Sequence, residues 1–196
     1  WGEIATSRVF RKKMIAAKEA DWTEQLASEA HRQLLSRLLS MKIERFQVVP
    51  NCAITQLRPG LNNRSPGFPE RRLRIAYWGY LIDFKGVHLI LEAVRKLRDP
   101  AAVEVHLAGL APDPPYLESL KKLADGLRVT FLGEYQPDDL SQLDVDLAVF
   151  PSLAAESYGL VLDEAFQLGL PVIVSDLGAL AERVGQAGLV FTAGNS

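Results

Sequence analysis

Cysteine is almost missing from this chain: Cys52 stands alone among 196 residues, which excludes an internal disulfide and any thiolate metal cluster. Flanked by Val48, Val49 and Ala53, it reads as a small packed thiol and not as a nucleophile. No apolar run approaches the roughly 18 residues needed to cross a bilayer. The first thirty residues carry charge throughout, without the apolar core of a secretory leader, so a cytoplasmic protein is expected. An excess of one charge is lacking too: the formal net charge is −2 with signs mixed, which argues against a nucleic-acid groove. There is no GxGxxG dinucleotide fingerprint, no GxxxxGK phosphate loop and no GxSxG nucleophile elbow. His31, His88 and His106 are far apart and show no metal-ligand spacing; His106, inside an apolar run, reads as a hydrogen-bonded core residue. What is present is ordinary globular composition, 48% hydrophobic and 23% charged, which rules out disordered and collagen-like classes. The length suits one well-filled domain plus part of another.

Residues 8–40 keep a helical period through Leu26, Ala30, Leu34, Leu35, Leu38 and Leu39, and the basic run at Arg11 reads as a solvated face. FQVVP at 46–50 reads as a short buried strand. RPGLNNRSPGFPERR, dense in Pro, Gly and Asn, is either a long loop or a domain linker. The expected organisation is a helical segment with a strand over 1–57, a linker over 58–72 and an α/β domain over 73–196. In the last of these, short apolar runs alternate with amphipathic helices. LRIAYWG (73–79) precedes a helix from Gly86, VEVHLAG (103–109) precedes YLESLKKLA, and RVTFLG (128–133) precedes a short helix over 138–143. DLAVFPS (146–152), PVIVSD (171–176) with a helix over 179–184, and GLVF (188–191) complete the series. Continuous apolar strands separated by helices predict a parallel sheet covered on both faces. No internal repeat is present. The start at Trp1 and the stop just after an apolar run suggest an excerpt from a longer polypeptide.

Ligands of such sheets bind beyond the carboxyl ends of the strands, so the strand-to-helix loops carry the candidates. In GYLIDFKG, Gly79 follows a strand and Lys85 precedes a helix. A cation is electrostatically misplaced beside a helix N-terminus unless an anion such as a phosphate is shared; the alternative is a flexible surface lysine. In PSLAAESYGL, Glu156 lies in the loop and Gly159 lets backbone amides approach a ligand. If a helix begins near Gly159, its apolar stripe is Leu160, Val161, Ala165 and Leu168, with Asp163 and Gln167 on the wet side. Glu164 then falls inside that stripe, with no basic residue one turn away. Either it is a satisfied structural carboxylate, or hydroxyl groups of a ligand complete it.

Taken in order, RIAYWGYLIDFKGVHLILEAVRKL, VEVHLAG, RVTFLGEYQPDDL and DLAVFPSLAAESYGLVLDEAFQLGLPVIVSDLGALAERV resemble the group 1 family of retaining nucleotide-sugar glycosyltransferases. The similar part is the C-terminal, donor-binding half of their GT-B fold, a Rossmann-like parallel sheet with helices on both faces. FQVVPNCAI is similar to the stretch leading into the interdomain linker, and residues 1–40 resemble the tail of the acceptor-binding domain. On this resemblance 1–57 is that tail with a linker strand, and 73–196 is a donor domain truncated at its C-terminus.

The resemblance implies that Lys85 contacts the donor diphosphate, with Gly79 and Gly86 shaping its loop. Glu156 would contact the transferred sugar, Ser157, Tyr158, Gly159 and Leu160 would support sugar and phosphate, and Glu164 would hold the ribose hydroxyls. The base would lie near Gly133 and Glu134. Tyr80 stands where family members commonly carry Arg, so one cation on the diphosphate is missing, and Cys52 stands where glycine is usual. A nucleotide sugar is the implied substrate, without cofactor or metal. A saccharide, lipid or other hydroxyl compound is the implied acceptor, bound by the missing domain, which could also touch a membrane peripherally. The fragment alone is expected to be inactive. Tyr80 keeps open a non-catalytic scaffold or regulatory domain of this fold; a GT-B-type nucleotide-sugar epimerase would need further acid and base residues that the sequence does not offer.

Overall fold

The computed structural model describes residues 25–26, 28–39, 47–48 and 71–196. In the three short stretches before residue 71, strand β1 (Gln25–Leu26) pairs in parallel with β2 (Gln47–Val48), and helix α1 spans Glu29–Leu39. The helix expected over 8–40 is therefore corrected at Gln25 and Leu26, which are extended. The cause is local: the Ser28 hydroxyl accepts the His31 amide at 3.1 Å, an N-cap that ends extended chain and starts the helix. Residues 8–24 of that expectation, most of the linker and Cys52 lie outside the described residues.

The main sheet has six strands, all parallel: β3 (Leu73–Trp78), β4 (Val103–Ala108), β5 (Arg128–Gly133), β6 (Leu147–Phe150), β7 (Val172–Ser175) and β8 (Gly188–Phe191). Between them run α2 (Val87–Lys96), α3 (Pro114–Ala124), α4 (Pro137–Leu140), α5 (Leu160–Gln167) and α6 (Gly178–Val184). The strand order is β5-β4-β3-β6-β7-β8, the Rossmann-like order. Successive connections leave β3 toward one edge and β6 toward the other, so a crevice opens beyond the carboxyl ends of these two neighbours. The two strands are held in register by Ile75 opposite Leu147 and Ala76 opposite Ala148.

The core sits where the sequence is most continuously apolar. Trp78, Leu91, Leu107, Leu120 and Leu162 are fully buried, and truncating any of the leucines to Ala should cost about 2–5 kcal/mol. Cover on both faces holds for the middle of the sheet and fails at its edges. Leu189 in β8 is 69% exposed and β5 alternates between exposed and half-buried residues; both are edge strands, with a neighbouring strand on one side only. The helix expected over 138–143 is shortened to α4. It starts at a proline, with the Gln136 amide donating to Asp139 at 2.7 Å, and Ser141 to Leu143 continue only as tight turns.

Two further details depart from expectation. His106 is half-buried in β4, but its Nε2 has no hydrogen-bond partner among the described residues, so it is not a satisfied core histidine. The helix after β3 starts at Val87, preceded by a single tight turn over Asp83–Lys85. Between them Gly86 has φ +69°, and a side chain there would lie 2.1 Å from the Pro151 carbonyl oxygen; only glycine lets the β3 and β6 loops meet. Among the described residues no helix is long and apolar enough to cross a membrane.

Candidate functional site

Beyond β3 and β6 lies a cleft of about 380 Å³. Its walls bring together Gly79, Tyr80, Lys85, Glu156, Ser157, Tyr158, Gly159, Leu160 and Glu164, residues that the sequence spreads over 86 positions from first to last. Gly86, Gly133 and Glu134 are not in the wall. Gly133 turns the chain with φ +74° while its carbonyl accepts the Gly109 amide at 2.6 Å. Glu134 points to solvent, and Tyr135, one residue on, reaches the cleft.

One end of the cleft is ionic. The Lys85 ammonium pairs with Glu156 Oε1, and the Ser152 hydroxyl lies 3.2 Å from the same oxygen. Ser152 is buried and its carbonyl accepts Ser175 Oγ at 2.7 Å, so β7 steadies the loop after β6. Tyr77 donates its hydroxyl proton to the Tyr80 carbonyl at 2.8 Å, which fixes the turn after β3. Burial, reinforced by the Glu156 charge, pushes the Tyr77 hydroxyl far above its ordinary pKa. It is a fixed donor and not a base.

At the other end stand Trp78, Tyr135 and Glu164. The Trp78 Nε1–H donates to Glu164 Oε2 at 2.7 Å. The indole is fully buried and meets Phe150 edge-on, with ring centroids 5.0 Å apart, so its N–H direction is set by packing. Burial raises the Glu164 pKa; the Trp78 hydrogen bond opposes this and nearby Asp163 adds to it. Tyr135 is raised as well, by burial first and the Glu164 charge second. A desolvated carboxylate with one oxygen engaged and cleft on its other side is a ready acceptor for a pair of hydroxyl donors.

The stripe expected on α5 is partly corrected. Leu162 and Ala165 are its buried residues, whereas Leu160 is 51% exposed at the cleft mouth. Asp163 does not face water: its side chain is 17% exposed and pairs with Arg183. Glu164 also has a protein donor that helical spacing could not reveal, because Trp78 comes from β3. The helix starts at Gly159, whose φ of +79° and 2.5 Å approach of a notional side chain to Leu180 Cδ2 exclude any other residue without strain. From α6, the Ala179 amide donates to the Glu156 carbonyl at 2.9 Å.

The sequence reading missed Tyr77, Trp78, Tyr135, Ser152 and Leu180 in the cleft wall, and Arg183 outside it. Trp78 did carry a usable signal: a residue with a polar tip at the carboxyl end of an otherwise apolar strand needs an acceptor nearby. Tyr135 and Arg183 carried none.

The N-terminal segment reaches this site. Ser28 Oγ donates to the Ser157 carbonyl at 2.6 Å, and the Glu182 carboxylate on α6 accepts the Ala30 amide at 2.7 Å and the Glu29 amide at 3.3 Å. Helix α1 is thus capped by its own serine and by a carboxylate from the other end of the chain.

Comparison with known proteins bears on the family and the fold. The family model described as Glycosyl transferases group 1 matches residues 72–196. The chain is 34% identical over 203 residues to a D-inositol 3-phosphate glycosyltransferase of Nocardia farcinica, covering 94% of this chain and 44% of that protein. It is 31% identical over 166 residues to the sulfoquinovosyl transferase SQD2 of Arabidopsis thaliana, covering 81% of this chain and 30% of that protein. It therefore spans less than half the length of these curated relatives. The crystal structure of Anabaena Alr3699/HepE in complex with UDP and glucose superposes with a TM-score of 0.78 at 22% identity, over 99% of this chain and 57% of that one, which supports the same GT-B fold. On the family match over most of its α/β domain, the chain belongs to the group 1 glycosyl transferases.

Proposed function

We propose that this chain is the donor-binding part of a retaining glycosyltransferase that moves a sugar from a nucleoside diphosphate to a hydroxyl acceptor. One observation carries the reading: Lys85, Glu156 and Glu164 face a single cleft at the sheet's switch point, with the ion pair at one end and the half-satisfied carboxylate at the other. A nucleotide sugar fits these ends, its ribose diol on Glu164, its diphosphate beside Lys85 and the α5 N-terminus, and its sugar against Glu156. The UDP and glucose named for the Anabaena structure support a ligand of this kind.

In the transfer, the bond from anomeric carbon to diphosphate oxygen breaks and the acceptor oxygen bonds to that carbon on the same face. Positive charge grows on the sugar and negative charge on the diphosphate. Lys85 and the amides of Gly159 and Leu160 stabilise the leaving group, taking the part that a divalent metal plays elsewhere. A diphosphate entering the cleft gives Lys85 a new anion, so the ammonium changes partner without losing one. The acceptor proton passes to a departing phosphate oxygen, which leaves Glu156 as a group that positions the sugar. Tyr80, 55% exposed at the mouth, adds one hydroxyl and no charge, so Lys85 carries the cationic share alone. The acceptor is bound by a preceding domain of which residues 1–57 are the tail, and 58–72 link it to the donor domain 73–196. The relatives' names favour an acceptor rich in hydroxyl groups.

The test is a panel of nucleotide sugars, differing in base and sugar, titrated calorimetrically against the full-length protein, followed by turnover with polyol and lipid acceptors. Saturable binding of one donor and product of unchanged anomeric configuration support the reading; a full-length protein that binds none of them refutes it.

A further inference from the structure

We propose that Arg183, which lies outside the cleft, is a positioning residue that aims the diphosphate-binding amides of the loop before α5; this rests on the donor-site reading above. Arg183 Nη1 donates to the Tyr158 carbonyl at 3.0 Å and to the Gly159 carbonyl at 3.2 Å. Its Nη2 pairs with Asp163, and its guanidinium lies 3.7 Å from the centre of the Tyr158 ring. One planar group thus grips two successive peptide units.

The consequence follows from peptide geometry. In a trans peptide the C=O and the next N–H point in opposite directions. Fixing the Tyr158 and Gly159 carbonyls toward Arg183 aims the Gly159 and Leu160 N–H groups away from it, and Gly159 and Leu160 line the cleft while Arg183 does not. Neither amide donates to a protein group among the described residues. Two adjacent N–H groups at the start of a helix, pointing the same way, form a nest for an anion. Gly159 must be left-handed for this geometry; its carbonyl is held by the Leu162 amide at 3.0 Å as well as by Arg183, whereas for the Tyr158 carbonyl, which sets the Gly159 N–H, Arg183 is the donor.

Asp163 has a matching role. A guanidinium near the positive end of a helix is unfavourable, and the Asp163 carboxylate in the first turn of the same helix neutralises it. Its second oxygen, Oδ2, is buried without a partner among the described residues, so the carboxylate is held there at a cost in desolvation. Lysine cannot replace this group, because its one nitrogen could reach the two carbonyls but not pair with Asp163 and lay a plane on Tyr158 at the same time, as Nη2 and the guanidinium do.

The experiment uses the full-length protein as wild type, Arg183→Met, Arg183→Lys and Asp163→Asn, titrated with UDP, GDP and ADP and with the matching nucleosides. For the diphosphate that wild type binds, Arg183→Met should lower affinity about tenfold and Arg183→Lys nearly as much, consistent with loss of hydrogen bonds to a charged group. The nucleoside should bind as in wild type, since its ribose is held by Glu164. Asp163→Asn, which leaves the fork in place, should show the same pattern at about threefold, and decides the matter if Arg183→Met fails to fold. Full retention of diphosphate affinity in Arg183→Met, full rescue by Lys, or an equal loss for nucleoside and diphosphate would each overturn the role of Arg183 while leaving the donor site standing. Wild type that binds none of the three diphosphates overturns the donor site itself, and this inference with it.

Discussion

Trp78 Nε1 lies 2.7 Å from Glu164 Oε2, across 86 positions of sequence, and this bond works against the effect of burial on the carboxylate at the inner end of the cleft. Burial raises the Glu164 pKa and the indole donor opposes that rise. The folded chain therefore keeps a proton on Glu164 at pH values where the unfolded chain has lost it. Stability contributed by this group is full below the ordinary carboxylate value and falls as pH rises through the raised one.

Trp78→Phe keeps an aromatic ring in the core but removes the only N–H that favours the ionised carboxylate among the bonds described for it. The Glu164 pKa should rise further, so the pH window over which stability declines should extend upward. Glu164→Gln should remove that decline and still accept from Trp78 through its amide oxygen. Equilibrium unfolding of the three proteins against pH checks this, with slopes compared because Trp78→Phe also changes core volume. An unchanged slope in both variants would show that Glu164 does not titrate in this window.

The ionic end makes a different prediction for turnover. Glu156→Gln keeps the size of the side chain and loses its charge, so Lys85 loses its ionic partner and, on the proposed donor site, the sugar loses a fixed acceptor. We expect kcat of the full-length protein to fall about 100-fold or more, the scale of removing one preorganised polar contact to the reacting group. Lys85→Met should raise donor KM and lower kcat together, because the diphosphate carries charge in both ground and transition states. Steady-state kinetics with the donor found by binding checks both, and near-normal kcat in Glu156→Gln would remove Glu156 from the reaction.

How far these features could be read from sequence depended on the distance between cause and effect. The strands were legible because Leu73–Trp78, Val103–Ala108 and Leu147–Phe150 are apolar runs bounded by turns, and that pattern is local. Lys85, Glu156 and Glu164 were legible because strand ends are the ligand side of such a sheet. The partners were not. Trp78 reaches Glu164 from another strand, Arg183 reaches Asp163 from the next helix, and Ser28 reaches Ser157 across 129 positions. Helical periodicity on α5 misplaced Asp163 on the wet side for the same reason, since it cannot see α6. Tyr135 lines the cleft where Glu134 does not, and the positive φ of Gly133 just before them redirects the chain in a way that sequence spacing does not show.

The contact between α1 and α6 predicts a measurable coupling. Ser28→Ala removes an N-cap and the hydrogen bond to Ser157, and should cost about 1 kcal/mol. Glu182→Ala removes an acceptor for two amides of the same helix turn, and an exposed carboxylate near a helix N-terminus is worth about 0.3–1 kcal/mol. Both act on one turn of α1, so a double-mutant cycle in urea should show non-additivity. Strict additivity would mean that the two caps act on independent parts of the chain.

Gly159→Ala tests whether the loop geometry is required or merely observed. At φ +79° an L-residue costs about 1–2 kcal/mol, and the added methyl would stand 2.5 Å from Leu180 Cδ2, which is buried and cannot swing into solvent. Either the loop shifts or α6 does. If the loop shifts, the Gly159 and Leu160 amides lose their aim, and affinity for the nucleoside diphosphate should drop well beyond the loss of stability, with nucleoside binding through Glu164 preserved. Trimming the neighbour in Gly159→Ala/Leu180→Val should recover part of the affinity, since the collision is relieved while the backbone strain stays. Calorimetry on the single and double variants, alongside thermal unfolding, separates the two effects. Wild-type affinity in Gly159→Ala would mean that the left-handed turn serves folding alone and that the diphosphate is held elsewhere.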